Sequence, residues 1–386
     1  MPSETRVLIV TGTFLPAVGG LEVATGRLAE SLINMGLEVS LVTSRRSPDW
    51  PAQETMESGL VVTRLKQGSI RWIGTLLYLV RLFLYLWKNR KNYDIVHACF
   101  IDPTTLTAAV VKRFTGRPAI CRLSGGDHTG DVQRMERSFF KTPIWWALKS
   151  IDSFVALSER MVSELERNGL ERNRLCRIPN GADTEVFMPC DVADQENARS
   201  ELEVTPAATM VVFVGRLSIE KGPRELVQAF EAVSKENPEA ELWMLGDGPL
   251  RRELEEEISE RRLEGKVKLC GNVADVREYL KAADVFVLPS LSEGMPNSLL
   301  EAMASGLACV ATEVSGSEDI VEDGESGLLV AAGDVVALTE AILKLSISPE
   351  LRSRLAVAAR KRIENHFSLE SVTREYVSLY ERCLGP

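Results

Sequence analysis

Two glutamates near residue 300 frame a segment that is typical of ligand binding. Glu293 follows the strand-like run DVFVLPS, and Glu301 lies in the helix-like run NSLLEAMA, with seven residues between them. We expect a strand, a loop and a helix with Asn297 or Ser298 at its cap. In a doubly wound sheet, ligands bind where strands end and helices begin, and a helix N-terminus attracts phosphate. A carboxylate at each end of such a site suits a sugar nucleotide, although a loop glutamate and a solvated helical glutamate would show the same spacing.

Two cations precede this segment at the end of another predicted strand. The run FVGRLSIEKGPRELVQAF places Arg216 after a strand and Lys221 before a helix, each beside a glycine. An arginine can donate two hydrogen bonds to phosphate oxygens, and a lysine adds a point charge. Surface cations without a function are common, but the flanking glycines favour binding. The run LGDGPLRREL repeats the pattern with Gly246 and Gly248, for which a plain tight turn is the alternative.

These segments together resemble the retaining glycosyltransferases of family four, also called group 1, which have the GT-B fold. The C-terminal half carries the resemblance in GRLSIEKG, LGDGPLRREL, LPSLSEGMPNSLLEAMASG and DGESGLLV. The N-terminal half carries it in PAVGGLEVATGRLAESLINMGLEVSLVT, YDIVHA, SFVALSERMVSELERNG and IPNGADTEVF. The resemblance covers nearly the whole chain and implies two doubly wound, Rossmann-like α/β domains with a cleft between them.

The resemblance also implies a role for each matching residue. Arg216 and Lys221 would hold the diphosphate and stabilise the departing nucleotide, and Glu293 would contact the donor sugar. Glu301 would bind the ribose. Backbone N–H groups after Glu293 and the glycine pair that follows the first strand would lie near the sugar and the diphosphate. The donor-binding residues expected in this way are Gly19, Gly20, Arg216, Lys221, Gly294, Met295, Pro296, Asn297, Ser298 and Glu301.

One loop departs from the family pattern. Many relatives carry a histidine in an H-G-x-D-like loop near the donor sugar, whereas the loop here reads CRLSGGDHTGD, with Ser124 in that position. We expect Asp127 to act there, with His128 as the alternative. Ser124 and Asn180 are further candidates. The expected catalytic residues are then Glu293, Arg216, Lys221 and Asp127.

Strand and helix patterns alternate along the chain, which predicts parallel α/β sheets. Six short apolar runs in each half read as buried strands: RVLIV, VSLVT, DIVHA, AICRL, DSFVAL and NRLCRIP, then TMVVFVG, AELWMLG, VKLCG, DVFVLPS, ACVAT and SGLLV. We expect an acceptor-binding domain over residues 1–190 and a nucleotide-sugar-binding domain over residues 191–365. The helix in residues 366–386 should cross back to the first domain.

Composition narrows the class of protein. The net charge of −10 disfavours a nucleic-acid partner, and it divides into +5 for residues 1–190 and −15 for the remainder. The seven cysteines show no C-x-x-C spacing and the three histidines lie far apart, so we expect reduced thiols and no local metal motif. No D-x-D string occurs, which fits a metal-independent enzyme without a cofactor. No signal-peptide pattern is present, and we expect a cytoplasmic protein.

Residues 70–91 form an apolar segment that needs its own interpretation. Residues 72–87 contain one charged side chain, Arg81, and as a helix would be about 24 Å long, short of the roughly 30 Å hydrocarbon core. A crossover helix packed on the sheet is one reading. The aromatic residues and the following Lys88, Arg90 and Lys91 favour a second reading, a helix at a membrane surface. Both hold if one face packs inward.

The resemblance implies a retaining glycosyltransferase that moves a hexose or N-acetylhexosamine from a nucleotide-sugar, expected to be UDP-linked. The expected acceptor is a hydroxyl of a lipid-linked or glycan molecule, at the inner face of the membrane. A small soluble acceptor is an alternative, and so is a catalytically silent subunit that only binds a sugar nucleotide. A nicotinamide-dependent dehydrogenase is disfavoured, because no strand is followed by G-x-G-x-x-G.

Overall fold

The chain contains two α/β units, each built on its own sheet. A computed structural model describes residues 5–16, 19–68, 71–123 and 141–385. The first unit comprises Met1–Asn180 and Leu369–Pro386, and the second comprises Gly181–Ser368. Each is described separately below.

The first unit ends before the predicted boundary at residue 190, because the following segment is bonded to the second unit's own helices. The backbone N–H of Ala182 donates to the carbonyl of Phe367 at 2.8 Å. Arg360 donates to the carbonyl of Phe187 at 2.6 Å and to that of Thr184 at 3.1 Å. Residues 181–190 therefore belong to the second unit.

The sheet of the first unit has eight strands in the order β3-β4-β2-β1-β5-β6-β7-β8. All neighbouring strands are parallel except β3 and β4. In the centre, Val7 pairs with Val39 on one side and with Ile95 on the other. The strands are β1 Arg6–Val10, β2 Glu38–Arg45, β3 Gln53–Thr55, β4 Val61–Lys66, β5 Ile95–Cys99, β6 Ala119–Arg122, β7 Ser153–Ala156 and β8 Leu175–Arg177.

Helices connect these strands as expected for parallel pairing. The third of them begins at Pro103 because Asp102 caps it, accepting hydrogen bonds from the N–H groups of Thr104 and Thr105. It ends at Gly116, whose φ of 69° is left-handed and favours glycine. The helices before the unit boundary are α1 Gly20–Asn34, α2 Arg71–Lys88, α3 Pro103–Thr115, α4 Lys141–Leu148 and α5 Glu159–Arg167.

The last helix of the chain, Leu369–Leu384, is part of the first unit. Its buried residues, which include Tyr376 and Tyr380, join the core formed by α1 and the sheet. Within that core, Nδ1 of His97 lies 2.7 Å from the hydroxyl of Tyr380, and the imidazole stacks on Tyr376. Burial, followed by the charge of Arg122, lowers the pKa of His97 to about 3.

The sheet of the second unit has six parallel strands in the order β11-β10-β9-β12-β13-β14. From β9 the chain adds β10 and then β11 towards one edge of the sheet. It then returns to the other side of β9 and adds β12, β13 and β14 towards the opposite edge. The order therefore reverses between β9 and β12. The strands are β9 Thr209–Val214, β10 Ala240–Leu245, β11 Val267–Gly271, β12 Val285–Leu288, β13 Ala308–Thr312 and β14 Leu328–Val330.

Helices also separate these strands. Numbered onward from α5, they are α6 Val192–Glu201, α7 Pro223–Glu236, α8 Arg251–Glu260, α9 Arg277–Ala282, α10 Asn297–Ala304, α11 Ser317–Ile320, α12 Val335–Ile347 and α13 Pro349–His366, and the last helix of the chain, Leu369–Leu384, is α14.

The predicted α/β class with two Rossmann-like units is confirmed, and all twelve predicted strands are present. The short β3 and the edge-side β4 were not predicted. No disulfide links the seven cysteines, all of which lie in described segments. Among the described residues, no helix is both long and apolar enough to cross a membrane.

Candidate functional site

The predicted donor-site residues of the second unit follow the two strands between which its strand order reverses. Arg216 and Lys221 follow β9, and Glu293 follows β12. The two strands are direct neighbours, with Val285 paired to Val211. Ligands of doubly wound sheets bind at this reversal point, outside the carboxyl ends of the strands. The structure thus brings these three side chains to the edge where a ligand is expected.

Backbone contacts join the loop after β9 to the loop after β12. The N–H groups of Leu291 and Ser292 donate to the carbonyl of Glu220 at 2.9 and 3.3 Å. Gly222 has φ of 63°, and a Cβ at this position would lie 2.1 Å from the carbonyl oxygen of Pro289. Any residue larger than glycine would therefore push the two loops apart.

Lys221 and Glu293 form an ion pair across these loops. Nζ of Lys221 lies 2.6 Å from Oε1 of Glu293, and the hydroxyl of Ser290 donates to the same oxygen at 2.7 Å. The Glu293 side chain is 6% exposed and that of Lys221 is 26% exposed. A carboxylate so buried needs its partners, because an unpaired charge in the interior is costly.

The remaining charges of the site are more open to solvent. Arg216 is exposed and forms no ion pair with any described residue. Burial works to raise the pKa of Glu220, but the hydrogen bond from Ser218 and the charges of Lys221 and Arg216 outweigh it and leave that pKa below its usual value. Glu220 is therefore ionised at neutral pH, so two cations stand among two carboxylates.

Helix α10 begins directly after the loop that carries Glu293. Its N-cap is Pro296, so the predicted side-chain cap by Asn297 or Ser298 is wrong. A proline side chain cannot accept a hydrogen bond, so it leaves the helix end to backbone N–H groups and the helix dipole. That end is the arrangement that binds anions in other proteins.

Gly316 supports this loop from behind. Its φ is 80°, and a Cβ would lie 2.4 Å from the carbonyl oxygen of Gly294 and 2.7 Å from Cα of Met295. The backbone of the loop is thereby held against the start of α11. Glu301, inside α10, is 8% exposed, whereas a solvated helical glutamate would be open.

The glycines of LGDGP serve close packing. A Cβ on Gly246 would lie 2.0 Å from the carbonyl oxygen of Gly215, and one on Gly248 would lie 2.3 Å from that of Leu217. The N–H of Leu217 donates to the carbonyl of Asp247 at 3.0 Å. The turn after β10 therefore fixes the loop that carries Arg216.

The predicted residues of the first unit are less fully placed. Gly19 is the N-cap of α1 and Gly20 its first residue. Asn180 is buried, and its side-chain oxygen accepts a hydrogen bond of 2.6 Å from Arg122. The candidates Ser124, Asp127 and His128 lie outside the described residues.

Some residues at this edge escaped prediction. Ser290 lies two residues after the end of β12, where a hydroxyl can reach the loop, and Glu220 lies beside Lys221 in SIEKG. Both positions were readable from the sequence. Gly316 comes from a distant loop, and no local signal pointed to it. Within the described segments, no group of three His, Cys, Asp or Glu side chains could hold a metal ion.

Two family models match separate halves of the chain. The model described as Glycosyltransferase Family 4 matches residues 18–186, and that described as Glycosyl transferases group 1 matches residues 194–362. The chain is similar to the UDP-Gal:alpha-D-GlcNAc-diphosphoundecaprenol alpha-1,3-galactosyltransferase of Escherichia coli, at 24% identity over 98% of this chain and 97% of that protein. It is also similar to the N-acetyl-alpha-D-glucosaminyl L-malate synthase of Bacillus anthracis, at 24% identity over 95% of each.

Solved structures show the same fold. Sucrose-phosphate synthase from Thermosynechococcus elongatus superposes with a TM-score of 0.82 at 22% identity, covering 98% of each chain.

Proposed function

This chain belongs to the group 1, family-four glycosyltransferases of the GT-B fold, and from that premise we propose the reaction it performs. It transfers a hexose or N-acetylhexosamine from a UDP-sugar to a hydroxyl of a lipid-linked or glycan acceptor. The configuration at the anomeric carbon is retained, and no metal is needed. The observation that carries the proposal is the Lys221–Glu293 pair beside the N-terminus of α10, at the reversal point of the second sheet.

The chemistry depends on stabilising the leaving group. A UDP-sugar gives up its sugar when the negative charge that grows on the diphosphate is neutralised. In our proposal Arg216 and Lys221 meet the diphosphate oxygens, together with the backbone N–H groups of residues 294–297. Because Arg216 has no described ionic partner and stands exposed, it is available to an incoming anion. The departing phosphate assists removal of the acceptor proton.

Carboxylates hold the two ends of the donor. Glu293, buried next to the diphosphate cations, accepts hydrogen bonds from hydroxyls of the transferred sugar, and Glu301 accepts them from the ribose. In our proposal Gly19 and Gly20 of the first unit also serve donor binding. Asp127 contributes hydrogen bonds to the sugar or acceptor, with His128 as the alternative.

The relatives support a UDP donor and leave two kinds of acceptor. The Escherichia coli relative is named for UDP-Gal and a diphosphoundecaprenol-linked acceptor, which favours a lipid-linked one. The Bacillus anthracis relative, equally identical, is named for L-malate, which supports a small soluble acceptor as the second candidate.

Thermal stabilisation by free UDP, UDP-sugars, GDP-sugars and ADP-sugars tests the donor. A ligand bound only by the native state adds RT ln(1 + [L]/Kd), about 2.7 kcal/mol at a hundredfold excess over Kd. We expect stabilisation by UDP and one or two UDP-sugars, unchanged by EDTA. Arg216→Ala should reduce this stabilisation, and the exposed control Arg252→Ala should leave it unchanged. No response to any nucleotide, or one that requires a metal, would contradict the proposal.

Product analysis tests the reaction. With the stabilising UDP-sugar, we expect UDP release that depends on an acceptor, and NMR of the product should show the donor's anomeric configuration. Lipid-linked acceptors and small soluble acceptors should be compared at equal concentration. Binding of UDP-sugar without transfer to either class would instead indicate a silent subunit.

A further inference from the structure

Helix α2, Arg71–Lys88, has two apolar faces on opposite sides. Tyr78, Leu82 and Leu86 recur at every fourth position and are buried in the first unit. On the other side, exposed side chains recur with the three-and-four spacing of a second helical face. These exposed residues are Ile73, Leu77, Val80, Leu84 and Trp87, with Leu76 at the margin. A helix that only packed on the sheet would be polar on its outer face.

The exposed face continues onto α3 and α4. Phe114, at the end of α3, is 66% exposed and meets Trp87 edge-on, with 6.3 Å between ring centroids. Trp146 of α4 is 56% exposed and carries the guanidinium of Arg113 over its ring at 4.4 Å. We call this surface of α2, Phe114 and Trp146 the apolar face. Contiguous exposed apolar surface of this kind marks an interaction site.

The charges around the apolar face are positive and uncompensated. Helix α2 contains no acidic residue. Five basic residues lie in the last turn of these three helices or just after it, and none forms an ion pair with any residue in the described segments. They are Lys88, Arg90, Lys91, Arg113 and Lys149. Other cations nearby are neutralised, because Lys112 pairs with Asp152 and Arg117 pairs with Asp94.

We propose that the apolar face docks the first unit onto a membrane surface that contains anionic lipids. Helix α2 lies in the plane of the interface, with its outer face among the acyl chains and Trp87 and Trp146 at headgroup level. The five basic residues at the helix ends contact the anionic headgroups. An amphipathic helix with aromatic residues on one side and cations beside it binds interfaces in this way. The positive charge favours this partner over a second copy of the chain, which would bring the same cations together.

Vesicle co-sedimentation of the full chain tests the docking without any donor or acceptor, so its outcome is independent of the proposed reaction. Vesicles of phosphatidylcholine alone are compared with vesicles that also contain phosphatidylglycerol. We expect binding to the anionic vesicles, weakened by salt, and little binding to the neutral ones. Lys88→Gln with Lys91→Gln should weaken binding about thirtyfold, since each cation near an anionic surface contributes roughly a factor of five.

A serine variant tests the apolar contribution. Ile73→Ser, Leu77→Ser and Leu84→Ser together should abolish detectable binding, because burying each such side chain is worth more than about tenfold. The control is Val336→Ser, Ile347→Ser and Val357→Ser in the second unit, which changes three apolar residues that are more exposed than those of α2. Leu77 and Leu84 are less than half exposed, so thermal melting of both triple variants checks that lost binding does not come from unfolding.

Three results would overturn the inference. The first is a wild-type protein that ignores anionic vesicles. The second is a control variant that loses as much binding as the α2 variant. The third is a wild-type dimer in light scattering that the α2 substitutions convert to a monomer while vesicle binding stays unchanged, which would assign the apolar face to a second copy.

Discussion

Replacing Glu293 by glutamine separates the two tasks that the donor site performs. The Glu293 carboxylate oxygen lies 2.6 Å from the Lys221 ammonium nitrogen. At an effective dielectric constant of about 20, two unit charges at that distance attract each other by roughly 6 kcal/mol. Most of this gain is offset by the desolvation of a carboxylate that is nearly buried. Because Lys221 keeps a quarter of its side chain exposed, we expect Glu293→Gln to lower the free energy of unfolding by only about 1–2 kcal/mol.

The effect on turnover should be much larger than the effect on UDP binding. If Glu293 contacts the transferred sugar, glutamine removes a charge-assisted hydrogen bond near the reacting carbon, and kcat should fall about 10²- to 10³-fold. UDP lacks the transferred sugar that Glu293 would contact, and in Glu293→Gln the neutral amide no longer holds Lys221 by its charge. The Kd for UDP in Glu293→Gln should therefore be equal to or lower than that of the wild type.

The assay is steady-state UDP release, combined with calorimetric titration of UDP and thermal melting. Glu301→Ala serves as the comparison variant, because loss of a ribose contact should weaken UDP binding and leave kcat largely unchanged. Equal losses of kcat and UDP affinity in both variants would refute the division of roles. So would a Glu293→Gln protein that melts normally, binds UDP less tightly and turns over at the wild-type rate.

Further predictions concern the loops, the first unit and Arg216. Gly316→Ala should lower the free energy of unfolding by about 2–4 kcal/mol and abolish UDP binding, since its Cβ would lie 2.4 Å from a carbonyl oxygen. The control Gly324→Ala is also at positive φ but in open space, so it should lower that free energy by only about 1 kcal/mol. Chemical denaturation measures both values. The pKa of His97 is lowered to about 3 by burial and then by Arg122. Between about pH 6.5 and 3 the unfolded state therefore binds more protons than the folded state, and stability decreases as the pH is lowered. His97→Asn should remove up to about 1.4 kcal/mol per pH unit of that slope in urea unfolding at pH 4–6. Arg216→Ala should weaken UDP binding and leave the melting temperature unchanged, because the side chain has no described ionic partner.

Most strands could be predicted because their residues are buried on both faces. The five residues of β5 are all buried, and such apolar runs identify parallel strands. In β4, whose sequence is VVTRLK, Arg64 and Lys66 interrupt the apolar pattern. For this reason the strand was not predicted. Arg64 is nonetheless buried, because its guanidinium pairs with Glu54 of the neighbouring β3. That partner depends on strand pairing, which local sequence does not encode.

The site was predictable in its residues and less so in its contacts. Arg216, Lys221 and Glu293 follow strand patterns that are readable from the sequence. The ion pair between Lys221 and Glu293 depends on β9 lying next to β12, although two other strands, β10 and β11, separate them in the sequence. In α2 the sequence showed apolar residues all round, but only the fold distinguishes buried Tyr78 and Leu82 from the exposed outer face.

Close packing of the loops around the site limits how far their backbone can move when a donor binds. The loops after β9, β10, β12 and β13 approach one another so closely at Gly222, Gly246, Gly248 and Gly316 that a single Cβ would separate them. Donor binding at this edge must therefore act on side chains within a fixed backbone. On our proposal Lys221 exchanges one anion for another when the donor binds, because it moves from the Glu293 carboxylate to the diphosphate. That exchange frees the carboxylate for the sugar hydroxyls, so binding of the diphosphate itself prepares the group that positions the sugar.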